Sequence, residues 1–241
     1  MPGDGSLALT GIGVCLPVIL VISAFAAFVS AGGAPRASIS MGRGDHEKAE
    51  KILGGCFTMQ ICISAVLTAV LLIWGRSLLL AFGASGNTIV YAADYLRIYA
   101  IGTVFVQLTL GMNSFITAQG NAKMGMYTVL IGAVINIVLD PIFIFALKMG
   151  VRGAALATVI SQCVSCLWVL KFLAGTKSLL RLRRENLFVS VRLILPCVAL
   201  GLAAFVMQAS ESVISVCFNS SLLNYGGDVA VGAMTILSSV M

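Results

Sequence analysis

Asp140 and Asn136 stand four residues apart in an otherwise apolar run, 124–147, so on a helix they share one face, one turn apart. Asp140 is seven residues from the end of that run, about 10 Å inside it at about 1.5 Å per residue. An ionisable group at such a depth in a bilayer costs about 2.5–3.5 kcal/mol or more, so a retained carboxylate is a candidate for function. Pro141 follows directly. A proline inside a helix removes its own N–H and displaces the carbonyl four residues earlier, here that of Ile137. Carboxylate, amide oxygen and loosened carbonyl are hard oxygen ligands of the kind Na⁺ takes. A carboxyl group in an apolar setting can instead carry a proton, and the residue types leave both ions open. Thr158, five residues into the next apolar run, sits at nearly the same depth and offers a hydroxyl. The competing use of Asp140 and Asn136 is to tie neighbouring helices together by hydrogen bonds.

Glu211 is the second acid within an apolar run, 193–218, with Gln208 three residues before it, Ser215 four after it, and Pro196 as a kink nearer the start. It reads either as a second protonatable or substrate-pathway site, or as a side chain reaching the outer headgroup region. Gln107, Thr109, Asn113 and Thr117 make a polar strip on a third run, suited to interhelix hydrogen bonding or to lining a hydrated cavity. No catalytic constellation accompanies these groups. The single histidine, His46, lies between Asp45 and Glu47, with Asp45 placed to cap a helix start. Neither HExxH nor GxSxG occurs, and an enzyme is not expected. The seven cysteines fall within or at the ends of apolar runs, which argues against a disulfide framework; Cys163 and Cys166 read as small packing residues.

The elements that must position these groups follow from composition. Of 241 residues, 59% are hydrophobic and 10% charged, and the mean hydropathy is +1.05. Soluble domains run at roughly 45–50% apolar and about 25% charged, so a water-soluble domain is excluded, as is a soluble domain on one anchor. A crossing needs about 20 apolar residues. Expected spans are 7–29 (continuing to about 39), 52–73, 92–117, 124–147, 153–173 and 193–218, with a seventh beginning near Asp228. The fold class is therefore all-α, a polytopic transmembrane helical bundle.

The net charge of +6 reflects basic residues between apolar runs, which points to lipid and to orientation rather than to nucleic acid. Arg36, Arg43, Lys48, Lys51, Lys123, Lys171, Lys177, Arg181, Arg183, Arg184 and Arg192 fall on one side, and Arg76, Arg97, Lys148 and Arg152 on the other. The richer side is expected in the cytoplasm. The first span then runs from outside to inside, which reads as a chain lacking an earlier span. The charged stretch 176–186 suits a cytoplasmic linker, either lying on anionic headgroups or plainly solvated. Residues 5–12 echo residues 227–234 at a spacing of 222, with six crossings between them. An even number makes the two spans parallel, a repeat about an axis along the membrane normal.

Several motifs occur together and in order. They are Gly32-Gly33-Ala34-Pro35-Arg36 with Gly42-x-Gly44-Asp45, Ala118-Gln119-Gly120-Asn121-Ala122-Lys123, and Ile135-Asn136-Ile137-Val138-Leu139-Asp140-Pro141. Gly150-Val151-x-Gly153-Ala154-Ala155 and Tyr225-Gly226-Gly227-Asp228-Val229-Ala230-Val231 complete the set. In this the chain resembles the MATE (multidrug and toxic compound extrusion) transporters, the bacterial members above all. The resemblance implies two six-helix lobes and export of small organic, often cationic, compounds in exchange for Na⁺ or H⁺ by alternating access. It implies a multi-pass protein of the inner (plasma) membrane, monomeric, with no cofactor beyond the coupling ion. By this resemblance residues 1–175 are the amino-terminal lobe without its first span, 176–192 an inter-lobe linker, and 193–241 the start of the second lobe. Asn136, Asp140 and Thr158 match three positions of the family's amino-terminal cation site; the fourth, an acid on the first helix, has no counterpart here. A lipid-linked saccharide flippase of the same superfamily and a non-transporting fragment are the rival readings.

Overall fold

The computed structural model describes residues 2–176, 178–187 and 191–240; Lys177 and residues 188–190 of the expected linker lie outside them. Among the described residues there are long helices and no strand: α1 (Pro2–Gly42), α2 (His46–Ala81), α3 (Ile89–Ala118), α4 (Ala122–Pro141, extended by a π-helical turn over Ile142–Ala146), α5 (Val151–Ala174) and α6 (Val191–Val240). All six are long and apolar enough to cross a membrane. The helices α1 and α2 are longer than a bilayer requires. The apolar 36 residues of α1 span about 54 Å against a hydrocarbon core of about 30 Å, so this hairpin projects beyond the membrane. Asp45 caps α2 as its position suggests, accepting the Lys48 N–H at 3.0 Å.

Two apolar clusters hold the bundle. One gathers Val14, Ile22, Leu71, Leu96 and Tyr99 from α1, α2 and α3; the other gathers Ala37, Leu53, Phe115, Val169 and Leu180. Between them Gln60 and Gln107 are fully buried and bonded to each other at 3.1 Å. Gln107 donates to the Ile22 carbonyl at 2.7 Å and Gln60 to that of Ala26 at 3.4 Å. At Gln107 the polar strip of α3 is therefore an interhelix tie. Outward faces stay apolar, as on α4 where Val129, Ile137 and Val138 are exposed, the pattern of a helix facing lipid.

The helix α6 is two limbs separated by Gly227, whose φ of 66° and ψ of −166° suit glycine alone. The first limb is antiparallel to α1: a Cβ on Gly32 would lie 1.8 Å from the Cys197 carbonyl oxygen, and one on Gly201 would lie 1.7 Å from that of Phe28. Backbone meets backbone there because neither residue has a side chain. Beyond Gly227 the direction reverses. Thr10 donates to the Asp228 carbonyl at 3.2 Å and packs on Gly232, while Gly13 packs on Thr235. The two packed pairs, Thr10 with Gly232 and Gly13 with Thr235, are each 222 residues apart, so residues at equal heights of the expected parallel repeat are in contact. The seventh span begins at Asp228 as its sequence suggests, but 219–226 is helix where a connection was expected.

The charged stretch 176–186 is neither free in solvent nor simply laid on headgroups. Leu180 is fully buried, and the Gln119 side-chain oxygen accepts from the Ser178 hydroxyl and from the N–H groups of Leu179 and Leu180 at 2.9–3.2 Å. Arg183 pairs with Glu50 at 3.2 Å.

Candidate functional site

Asp140 occupies the last turn of α4, immediately before the π-helical turn. Pro141 has no N–H to give to Ile137, and the backbone widens into a π-helical turn directly after it. The wider turn is closed by the Leu147 N–H on the Ile142 carbonyl at 2.9 Å, after which Met149 returns to Phe143 at 3.0 Å. The disturbance expected at Pro141 and the Ile137 carbonyl thus takes the form of a π-turn. Lys148 and Gly150, with φ of 52° and 56°, reverse the chain into α5.

Two glycines bring the neighbouring helices onto this turn. A Cβ on Gly153 of α5 would lie 2.8 Å from the Phe143 backbone, and one on Gly102 of α3 would lie 2.4 Å from a Val159 methyl. Thr158 is drawn between α3 and α4 as a result. Asn136 donates to the Thr158 hydroxyl at 3.5 Å, the long limit of a hydrogen bond, and that hydroxyl donates to Ala154 O at 3.0 Å. With its nitrogen so engaged, Asn136 keeps its amide oxygen as an acceptor. Above this pair the Asp140 Oδ1 is enclosed and has no hydrogen-bond partner. A shielded carboxylate oxygen without a donor is costly, and it is an open acceptor for a proton or a hard cation.

Tyr95 completes the cluster and was not singled out by the sequence. It is 6% exposed, its hydroxyl lies beside that of Thr158, and it is within electrostatic reach of Asp140. Its ring stacks on Tyr99 at 5.9 Å. A signal existed in the chain: tyrosines at 91, 95 and 99 recur every fourth residue, one stripe of α3. Nearby, Arg152 at the start of α5 pairs with Asp94 at 3.0 Å, fastening α5 to α3 beside the cluster.

Glu211 belongs to a different place. It is exposed and lines a cavity of about 390 Å³ between α1 and the two limbs of α6, together with Ser215, Asn219 and Thr235. Gln208, expected beside it, lies outside that lining, and its side-chain oxygen is enclosed without a hydrogen-bond partner.

A MatE family profile matches residues 3–142. The chain belongs to the MatE family. Among curated relatives, the multidrug export protein MepA of Staphylococcus haemolyticus is 28% identical over 223 residues, covering 92% of this chain and 49% of the relative. Among solved structures, the MATE multidrug transporter DinF-BH, with a drug dye bound, superposes with a TM-score of 0.93 at 33% identity, covering 98% of this chain and 53% of that one. An inward-facing multidrug resistance MATE family transporter of the MOP superfamily also reaches 0.93, at 27% identity, over 99% of this chain and 54% of the other. This MatE chain spans about half the length of the curated relatives it matches. Those relatives are transporters rather than enzymes. Membership and six membrane-length helices make this a multi-pass plasma-membrane protein.

Proposed function

We propose that this MatE chain serves a secondary active exporter of small organic, often cationic, compounds, driven by exchange for Na⁺ or H⁺. The observation that carries the ion-coupled reading is the enclosed, unpartnered oxygen of Asp140 beside Asn136, Thr158 and Tyr95, within membrane-length helices. Export itself rests on the named relatives, a multidrug export protein and a multidrug transporter with a drug dye bound.

In this reading residues 1–175 act as the amino-terminal lobe, 176–192 as the inter-lobe linker and 193–241 as the start of the second lobe. Asp140 supplies the charge for the coupling ion, Asn136 an amide oxygen and Thr158 a hydroxyl. Hard oxygen donors suit Na⁺, and a lone shielded carboxylate suits a proton equally. Either ion drives export only by binding one packing of the bundle more tightly than the other, each tenfold difference in affinity moving the equilibrium by about 1.4 kcal/mol. Glu211, in its own cavity, is a second protonatable or substrate-pathway group. No cofactor beyond the coupling ion is required, and a monomer suffices.

The test is export of ethidium, a cationic dye, from drug-sensitive bacterial cells under imposed Na⁺ and proton gradients. Asp140→Asn abolishes ion-coupled export at unchanged membrane abundance. Undiminished export by that variant would sink the assignment.

A further inference from the structure

At the end of α5 remote from Thr158, a groove of about 340 Å³ opens between the start of α4 and the last turns of α5. Met124, Trp168 and Phe172 form its apolar walls, and Lys171, Gly175 and Thr176 lie at its mouth. Most of the Lys and Arg residues gather at this end of the bundle, the one expected in the cytoplasm. Lys171 is exposed, and so is Lys123, which precedes Met124. The Arg181 guanidinium donates to the Thr176 carbonyl at 3.3 Å. Glu50, an acid of the same end, is already engaged by the Arg183 side chain and the Arg181 N–H.

Within the groove the Trp168 indole Nε1 is enclosed and has no hydrogen-bond partner. Indole N–H groups find an acceptor when buried, and tryptophan favours the headgroup level of a bilayer, where one side is apolar and the other polar. Seven residues of helix separate Trp168 from Gly175, about 10 Å, the distance from a headgroup to the upper part of its chains. Val164 and Leu167, on the same helix, are exposed apolar residues, so the groove opens sideways onto hydrocarbon. Apolar walls, a single buried donor and a cationic rim match one class of molecule.

We propose that this groove binds an anionic phospholipid of the cytoplasmic leaflet. The phosphate sits between Lys171 and Arg181, an ester or phosphate oxygen accepts the Trp168 N–H, and an acyl chain lies on Met124 and Phe172. A zwitterionic lipid offers the same chains without the net negative charge, so the rim selects against it.

Trp168 itself is the probe. The chain has two tryptophans, and the other, Trp74, is 55% exposed, so Trp74→Phe leaves Trp168 as the only indole. The full chain carrying that change is reconstituted in phosphatidylcholine vesicles containing a few mole per cent of dibrominated phosphatidylglycerol or dibrominated phosphatidylcholine. The expected result is several-fold stronger quenching by the phosphatidylglycerol. That preference falls to none with Lys171→Gln plus Arg181→Gln, and it survives Lys171→Arg. It also survives Arg43→Gln plus Lys48→Gln, which removes two cations of the same end away from the groove. Equal quenching by the two lipids overturns the proposal. So does a preference that the Arg43 and Lys48 changes abolish as fully, because the attraction would then belong to the basic surface as a whole.

Discussion

Asp140, Asn136 and Thr158 are legible in a bare sequence because hydrocarbon penalises polar groups, so each one retained stands out against an apolar background. Tyr95 is not legible in the same way. A tyrosine is apolar enough to be core and polar enough to be a ligand, and only its placement against Thr158 distinguishes the two. Tyr95→Phe keeps the buried ring and its stacking on Tyr99 while removing the hydroxyl. Bundle stability in detergent should fall by no more than about 0.5–1.5 kcal/mol, while the cation concentration or pH at half-maximal export shifts. Tyr95→Ala removes the ring as well and should cost about 3–5 kcal/mol, seen as less folded protein in the membrane. An unshifted ion dependence in Tyr95→Phe would make Tyr95 a packing residue alone. Glu211 was legible as an intramembrane acid, yet its separation from Asp140, and the absence of Gln208 from its cavity, come from packing between α1 and α6.

At the scale of elements, apolar runs with short connections give the helices to within several residues, the continuation of α1 to about residue 39 included, but not how far α2 projects at either end. Residues 30–42 of α1 and 46–51 of α2 lie outside a 20-residue crossing, and they are helical because each packs on the other and on Leu180. Nor does periodicity give the π-turn after Pro141, which depends on Gly153 letting α5 close onto Phe143. The parallel course of α1 and the limb after Gly227 tests the repeat directly. A Cβ on Gly232 would lie 3.9 Å from the Thr10 Cβ, close to the separation of about 3.8 Å found in disulfides. Thr10→Cys with Gly232→Cys should therefore cross-link under mild oxidation. Thr10→Cys with Met234→Cys, two residues along and turned away, should not. Cross-linking of both pairs alike would show that the two limbs slide, against a fixed register.

At the scale of the whole molecule, the unequal division of Lys and Arg predicts orientation, and the structure brings members of each group together at opposite ends. Glu50, Arg181 and Arg183 meet at one end, and Arg76 and Arg97 share a cavity wall at the other. A membrane-impermeant maleimide should accordingly label Gly44→Cys in inverted vesicles only, and Met149→Cys in intact cells only. The reverse pattern would invert the topology and put the groove at Trp168 in the outer leaflet. The sequence by itself determined the class of the protein, the number and approximate limits of its crossings, the family and the polar groups worth testing. It could do so because the bilayer writes its demands residue by residue: twenty apolar positions per crossing, cations on one side, polar atoms only where something repays them. Only the tertiary structure decided that Tyr95 joins Thr158, that Asp140 keeps an oxygen without a partner, that Leu180 draws the charged linker into the bundle, and that Glu211 faces a separate cavity. Each of these depends on which helix faces lie together, and in a membrane that choice is made by close fits at small residues, such as Gly32 on Cys197 and Gly102 on Val159, whose partners lie far away in the chain.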